Sequence, residues 1–498
     1  MVNEDIKLTQ YKFNAHGLEI NIDITKKGDF VPTYTVSYKG IGEATKILLT
    51  SIRPELLAAV PVDQQRLQDE KYIKELNDLY EKSASIILDK YLPGISQEMK
   101  NTLISYIINM FLGLGDLEVF IADENLEEIA VNTASEPIWI FHKDHGWCKS
   151  NLKLQSEEEI YEISEQIGRK VGREISNLIP IMDAELPDGS RVNATLYPIS
   201  VKGNTITIRK FAKNPWSMPA LVANKALSPE LAGLIWLSIQ NEISILISGG
   251  TASGKTSFLN AMSMFMPPNR RVISVEDTRE LSLPDFLQWV PMQTRQANPE
   301  GKGEIKLYDL MINALRQRPD IMLIGEIRVK NDAETLFEAI HTGHAVYGTL
   351  HADNSQDTII RMTNPPIDIP KIMLNSIGAV VSLFRHRRLG IRRMLEFGEI
   401  TNSGDVNVLS RWDIRNDMFL RVGDITRLSQ TISLYGGYST QEINQDIIEK
   451  GKVITWMINN KIFDISTSGY IVANYYKNPS KVLDLVHENV TYSDNLFR

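Results

Sequence analysis

Four short stretches of this chain carry side chains suited to phosphate chemistry. "GGTASGKT", Gly249 to Thr256, matches the spacing G-x-x-x-x-G-K-[ST]. Such a loop needs its glycines so that backbone N–H groups can converge on phosphate oxygens. The expected nucleotide-binding residues are Gly249, Gly250, Thr251, Ala252, Ser253, Gly254, Lys255, Thr256 and Ser257. Lys255 would reach the β- and γ-phosphates, and Thr256 would offer its hydroxyl to Mg²⁺. Glu276 closes "RVISVE", Glu326 follows "PDIMLIG", and His351 follows "AVYGTL". Two carboxylates can divide the work: one holds the metal, the other orients or deprotonates water. The residue types alone leave open which of Glu276 and Glu326 does which.

His351 is expected to be neutral and to hydrogen bond toward the γ-phosphate. The competing reading makes it a metal ligand with His341 and His344. Two of the three histidines lie at the end of a predicted helix and show no ligand spacing, which disfavours that. Arg279, Arg316, Arg318 and Arg328 crowd the same region. Most such arginines are solvated, but in a ring of subunits an arginine can stabilise charge on a transferred phosphoryl group. Arg316 and Arg318, in "ALRQRPD", are the candidates for that catalytic role.

These residues need elements to hold them. "ISILIS", "RVISVE", "IMLIGE" and "AVYGTLH" read as continuous apolar strands separated by helical stretches. That pattern predicts a parallel sheet covered on both faces, with ligands at the carboxyl ends of its strands. All four chemical stretches would then fall along one edge. Ahead of them, residues 116–211 alternate between strands and a helix, "SEEEIYEISEQIGRKVG", and predict an α+β domain. Residues 1–115 read as a mixed, largely helical region, and "AKNPWSMP" (212–219) as a linker. Residues 220–400 form the expected α/β core and 401–498 a helical C-terminal region.

At 498 residues the chain is too long for one core. Its 43% hydrophobic and 23% charged content is that of a globular protein. A net charge of −9 disfavours wholesale nucleic-acid binding, which favours a basic face. One cysteine, Cys148, excludes a disulfide framework within the chain and a cysteine-rich zinc module. The N-terminus lacks the basic and apolar regions of a signal peptide. The longest apolar runs are too short to span a bilayer, so a soluble protein is expected, with any membrane role exerted through a partner.

The loop Gly249–Thr256, then "VISVEDTREL", "LRQRPDIMLIGEIR" and "HTGHAVYGTLHAD", resemble in order and spacing the Walker A motif, Asp box, Walker B motif and His box of the secretion ATPase superfamily of type II and type IV secretion. The resemblance spans about residues 120–400, and Gly-Glu at the end of Walker B is similar to the family pattern. It implies a RecA-like P-loop NTPase domain, preceded by an α+β, PAS-like N-domain and followed by a helical tail. It implies ATP and Mg²⁺ as cofactors, with Glu276 activating water and Glu326 serving the metal. "ELPDGSRVN" and "TITIRKF" resemble N-domain segments in which arginines, here Arg191 and Arg209, reach the nucleotide phosphates.

The segments "RWDIRNDMF", "VITWMINNKIFD" and "ANYYKNPSKVLDL" resemble the tail of archaeal members, and the single cysteine departs from the four-cysteine module common in bacterial assembly ATPases. The implied protein is a homo-hexameric cytoplasmic motor at the inner face of the cell membrane. It would act on a polytopic membrane platform protein to assemble a type IV pilus-like filament, or to drive secretion, without inserting in the membrane and without binding nucleic acid. Alternatives are an archaellum motor of the same family, a DNA translocase, and a nucleotide-binding scaffold without turnover.

Overall fold

Leu18, Ile20, Ile22 and Ile24 alternate with more exposed neighbours, so one face of their strand is covered and the other is not. This pattern recurs through the first part of the protein. The structure, a computed structural model, describes residues 6–26, 28, 30–60, 70–211, 214–297, 301–493 and 496–497. The chain divides into two units, Met1–Lys213 and Asn214–Arg498, each with its own core.

In the first unit the described elements are β1 (Ile6–Ala15), β2 (Leu18–Lys26), β3 (Thr33–Tyr38), α1 (Glu43–Ala59), α2 (Glu70–Tyr91), α3 (Gln97–Leu112), α4 (Leu117–Ala122), β4 (Leu126–Val131), β5 (Trp139–His142), β6 (Gly146–Ser150), α5 (Glu157–Val171), β7 (Ile181–Glu185), β8 (Arg191–Thr195) and β9 (Thr205–Arg209). Their sheet runs β1-β2-β3-β6-β5-β4-β9-β8-β7. Residues 1–115 and 116–211, read above as separate regions, share this sheet through a short parallel pairing of β3 with β6. α5 begins at Ser156, whose hydroxyl accepts from Glu159 N–H, and ends at Gly172 in the left-handed region.

The second unit opens with α6 (Met218–Ala223), so the end of the expected 212–219 linker is already the buried, capped start of a helix. Then come α7 (Pro229–Gln240), β10 (Ile245–Gly249), α8 (Lys255–Ser263), β11 (Arg271–Glu276), β12 (Gln288–Gln293), α9 (Leu307–Leu315), β13 (Ile321–Ile324), α10 (Lys330–His341), β14 (Ala345–Leu350), α11 (Ser355–Thr363), β15 (Ala379–His386), β16 (Ile391–Ile400), β17 (Val406–Asp413), β18 (Met418–Arg421), α12 (Arg427–Gly436), α13 (Thr440–Asn459), α14 (Ile465–Lys477) and α15 (Pro479–His487).

The second sheet runs β12-β11-β13-β14-β10-β15-β16-β17-β18. The pairings from β12 to β15 are parallel, and those from β15 to β18 are antiparallel. The α/β class expected from the sequence holds. Ile245 and Ile247 enter one core and Leu246 the other, as continuous apolar strands covered on both faces require.

Residues 401–498, expected to be helical, open instead with β17 and β18, which extend the sheet. The helices that follow supply Ile432, Val453, Trp456, Ile471 and Val472 to the same core as β10. Among the described residues, no helix is long and apolar enough to cross a membrane.

Candidate functional site

The phosphate loop is a strand–turn–helix joint. β10 ends at Gly249 and α8 starts at Lys255, with Gly254 at φ +95° as its N-cap. A Cβ on Gly249 would stand 2.4 Å from Ser253 Oγ and 2.7 Å from the Leu383 carbonyl oxygen, so only glycine fits there. Ala252 sits at φ +58°, an uncommon conformation for a residue with a Cβ. Ser253 is buried, and its hydroxyl has no hydrogen-bond partner among the described residues. Thr251 and Ser257 are exposed, Gly250 and Thr256 half-buried. Lys255 is buried, and its ammonium donates to the carbonyls of Gly249 (2.9 Å) and Gly250 (3.2 Å).

Sheet order explains what lies beside the loop. β14 separates β10 from β13, so the end of β14 stands between the loop and the Gly325-Glu326 turn. His351, the residue after β14, bridges them. Its Nδ1 is 3.2 Å from Lys255 Nζ and its Nε2 is 3.2 Å from Glu326 Oε1. An ammonium can only donate, so Nδ1 accepts and the proton sits on Nε2, facing the carboxylate. Burial, and then the Lys255 charge, push the His351 pKa below its ordinary value, which keeps the ring neutral.

Burial likewise lowers Lys255, against the pull of Glu326 and Glu280. Burial alone would raise Glu326. Its bond to Arg328, the charges of Arg328 and Lys255, and the His351 ring facing it outweigh that and hold it below the ordinary value. The chain of contacts continues through Arg328, 2.8 Å from Glu326 Oε2 and 2.8 Å from Asp277 Oδ2.

Glu276 is a different kind of acid. It ends β11, next to β13, and is 2% exposed. One oxygen accepts the N–H groups of Glu280 (2.9 Å) and Leu281 (3.1 Å). The other is buried with no hydrogen-bond partner among the described residues. Burial pushes its pKa up to about 7, against the two backbone bonds. Gly325 faces this residue: a Cβ there would lie 3.3 Å from Glu276 Cα and 3.4 Å from its Cγ.

The structure thus gathers Gly249–Thr256, Glu276, Glu326 and His351 along the carboxyl edge of one sheet. Other candidates are not part of that sheet edge. Arg316 caps α9 and Arg318, at φ +54°, follows it, both just before β13 begins. They stand at the amino edge of the parallel strands, a strand's length from the loop of their own chain. Arg191 and Arg209 belong to the first unit, where they face each other across β8 and β9. Arg191 makes a two-pronged bond to Asp183 (3.0 and 2.6 Å). His341 bonds Ser376 and His344 the Ala339 carbonyl, so neither joins His351.

Sequence reasoning missed Arg392, whose Nε donates to the Ala252 carbonyl at 3.1 Å. The basic run "RHRRLGIRR" was the available signal.

Fold and site together define a P-loop nucleotide-binding protein, with its loop on the central strand of a mainly parallel sheet. The chain belongs to the type II/IV secretion system protein family, which it matches over residues 112–389, more than half its length. An uncharacterized protein of Methanocaldococcus jannaschii is 32% identical over 397 residues, 77% of this chain and 71% of the relative. A second uncharacterized protein of that organism is 34% identical over 354 residues, 69% of this chain but only 46% of the relative. Among solved structures, the Legionella pneumophila ATPase DotB is 19% identical, with a TM-score of 0.41, over 72% of this chain and 94% of that one.

Proposed function

We propose that the protein is a Mg²⁺-dependent ATPase, the motor that powers assembly of a type IV pilus-like surface filament. The observation that carries the enzymatic reading is Glu276: a buried carboxyl, one oxygen pinned by backbone donors, the other unpartnered among the described residues, with a pKa near neutrality. A general base works best when its pKa lies near the operating pH.

In the proposed reaction, the N–H groups of the loop and the Lys255 ammonium hold the β- and γ-phosphates. A water attacks the γ-phosphorus in line, and the bond to the β–γ bridging oxygen breaks. Glu276 takes the water's proton, and the charge left on ADP develops beside Lys255 and the start of α8. His351 keeps Glu326 in place and, being neutral, can turn its Nε2 proton toward the γ-phosphate. Thr256 and Glu326 suit magnesium, since both offer oxygen donors and Glu326 stays ionised. When bound, that ion would neutralise phosphate charge.

Arg316 and Arg318 stand on the wrong edge to serve their own loop, so we assign them to the loop of a neighbouring subunit in a homo-hexamer. Family membership and the archaeal resemblance of the tail support a membrane platform protein as partner and a cytoplasmic position beneath it.

Phosphate release from Mg·ATP tests the chemistry. Glu276→Gln should bind ATP and lose turnover by about a hundredfold or more, and Lys255→Ala should lose binding or hydrolysis. A glutamine variant as fast as the parent removes the assignment. Light scattering with ATP tests the ring, and a species that stays monomeric at high concentration counts against it. Deleting the gene and imaging cells tests the filament: pili lost with swimming retained supports the pilus, and the reverse supports the archaellum.

A further inference from the structure

The phosphate loop is held from two sides. On the inner side Lys255 grips the carbonyls of Gly249 and Gly250. On the outer side the loop turns at Ala252, whose φ of +58° brings its Cβ close to its own backbone. Among the described residues, the side chain bonded to the Ala252 carbonyl is Arg392. Its Cδ also passes 3.7 Å from where a Cβ on Gly254 would stand.

Arg392 is delivered there by construction of the β15–β16 hairpin. β15 runs beside β10, with Leu383 opposite Gly249, so the rest of the hairpin projects past the sheet edge alongside the loop. Ser382 pairs with Glu396 and Leu383 with Met394, which leaves Leu395 as a one-residue bulge. The bulge shifts the register so that Arg392, not Arg393, lies opposite Arg385. Arg393 then points into a fixed anchor. Its guanidinium makes two bonds to Asp417 (2.7 and 2.9 Å) and one to the Asn224 carbonyl (3.0 Å). Trp412 Nε1 steadies the same aspartate at 3.0 Å. Neighbouring arginines thus have separate tasks: one fixes the hairpin, the other touches the loop.

We propose that Arg392 is a positioning residue of the phosphate loop, which clamps the Ala252 carbonyl and holds the loop's outer turn in its left-handed form. The value of this clamp to the enzyme rests on nucleotide binding at the loop, but the clamp itself exists without nucleotide. It preorganises the N–H groups of the loop, so an incoming polyphosphate does not bear the cost of forming the turn.

Amide exchange of residues 251–256 without nucleotide, together with ADP titration, tests this in the full chain. Arg392→Ala should speed loop exchange and weaken ADP binding, each about tenfold, with Tm nearly unchanged because the side chain is exposed. Ala252→Gly in that background should restore most of both, since glycine takes this φ without a clash. Arg392→Lys should stay impaired, because lysine puts a methylene where arginine has its Nε donor. The clamp is overturned if lysine restores ADP affinity in full, which would make Arg392 a mere charge near phosphate. It is equally overturned if Arg392→Ala carries the same penalty in the Ala252→Gly background as in the parent. A parent protein that binds no ADP would sink the nucleotide reading, while loop exchange would still decide the clamp.

Discussion

Glu276 and Glu326 are both glutamates at neighbouring strand ends, yet their surroundings push them in opposite directions. Glu326 sits among Arg328, His351 and Lys255 and stays ionised. Glu276 faces burial with only backbone donors and titrates near 7. Two acids with separated pKa values mark separate roles. Turnover should therefore rise with pH through an apparent pKa of about 7, and a pH–rate profile checks this.

The same shift makes a stability prediction. Glu276 is protonated when folded over a range where the unfolded chain has already released its proton. The stability it contributes is full below its ordinary value of 4.5 and is lost as pH rises through about 7. Glu276→Gln removes this dependence. Its stability relative to the parent should grow between about pH 5 and 8, toward about 3 kcal/mol, in parallel denaturant titrations. Gly325 belongs to the same site. The open flank it leaves is filled by Glu276, so Gly325→Ala should displace that side chain. A loss of turnover of about tenfold, with the fold intact by circular dichroism, is the expected result. Unchanged turnover would show that Glu276 tolerates the shift.

At the scale of elements, what the sequence disclosed follows from how each strand is covered. β10, β11, β13 and β14 are buried on both faces and read as uninterrupted apolar runs. The glycine spacing placed the loop between β10 and α8 without further help. β12 was invisible because it is a partly exposed edge strand with Pro291 inside it. The β15–β16 hairpin was hidden by its arginines, two of which bond the loop and the Asp417 anchor.

The joint between α7 and α13 was equally illegible. A Cβ on Gly233 would lie 2.3 Å from the Ile447 carbonyl oxygen, so the two helices nearly touch there. Beside that joint Lys450, 1% exposed, bonds Asp446 and lies over the rings of Trp236 (5.4 Å) and Tyr475 (4.9 Å). Burial lowers its pKa while Asp446 opposes that. Asp446→Ala should cost about 3–5 kcal/mol, because it strands a buried ammonium, whereas Lys450→Met should change stability by about 1 kcal/mol or less. Urea melts of both variants decide it; equal losses would mean that the ion pair, not its desolvation, dominates.

At the scale of the whole chain, the helices α12–α15 read from sequence only as part of a helical C-terminal region, because helical periodicity says nothing about what a helix packs against. In the fold they complete the core of the second unit. Trp236 stacks on Phe265 at 5.2 Å, meets Tyr475 edge-on at 4.8 Å, and donates through Nε1 to Tyr476 Oη at 3.0 Å. Tyr476 in turn donates to the Phe265 carbonyl at 2.6 Å, just beyond the helix that begins at the phosphate loop. Removing α12–α15 would uncover Trp236, Leu234, Phe265 and much of the surrounding apolar core at once. Each large side chain exposed forfeits about 1.5–3 kcal/mol, and a domain's net stability is only about 5–15 kcal/mol. Residues 214–498 produced alone should therefore unfold cooperatively, with a sharp near-ultraviolet dichroism transition. Residues 214–424 should aggregate, or bind a hydrophobic dye without fixed tertiary signal. A well-folded 214–424 that still binds ADP would show the C-terminal helices to be an accessory rather than part of the nucleotide domain.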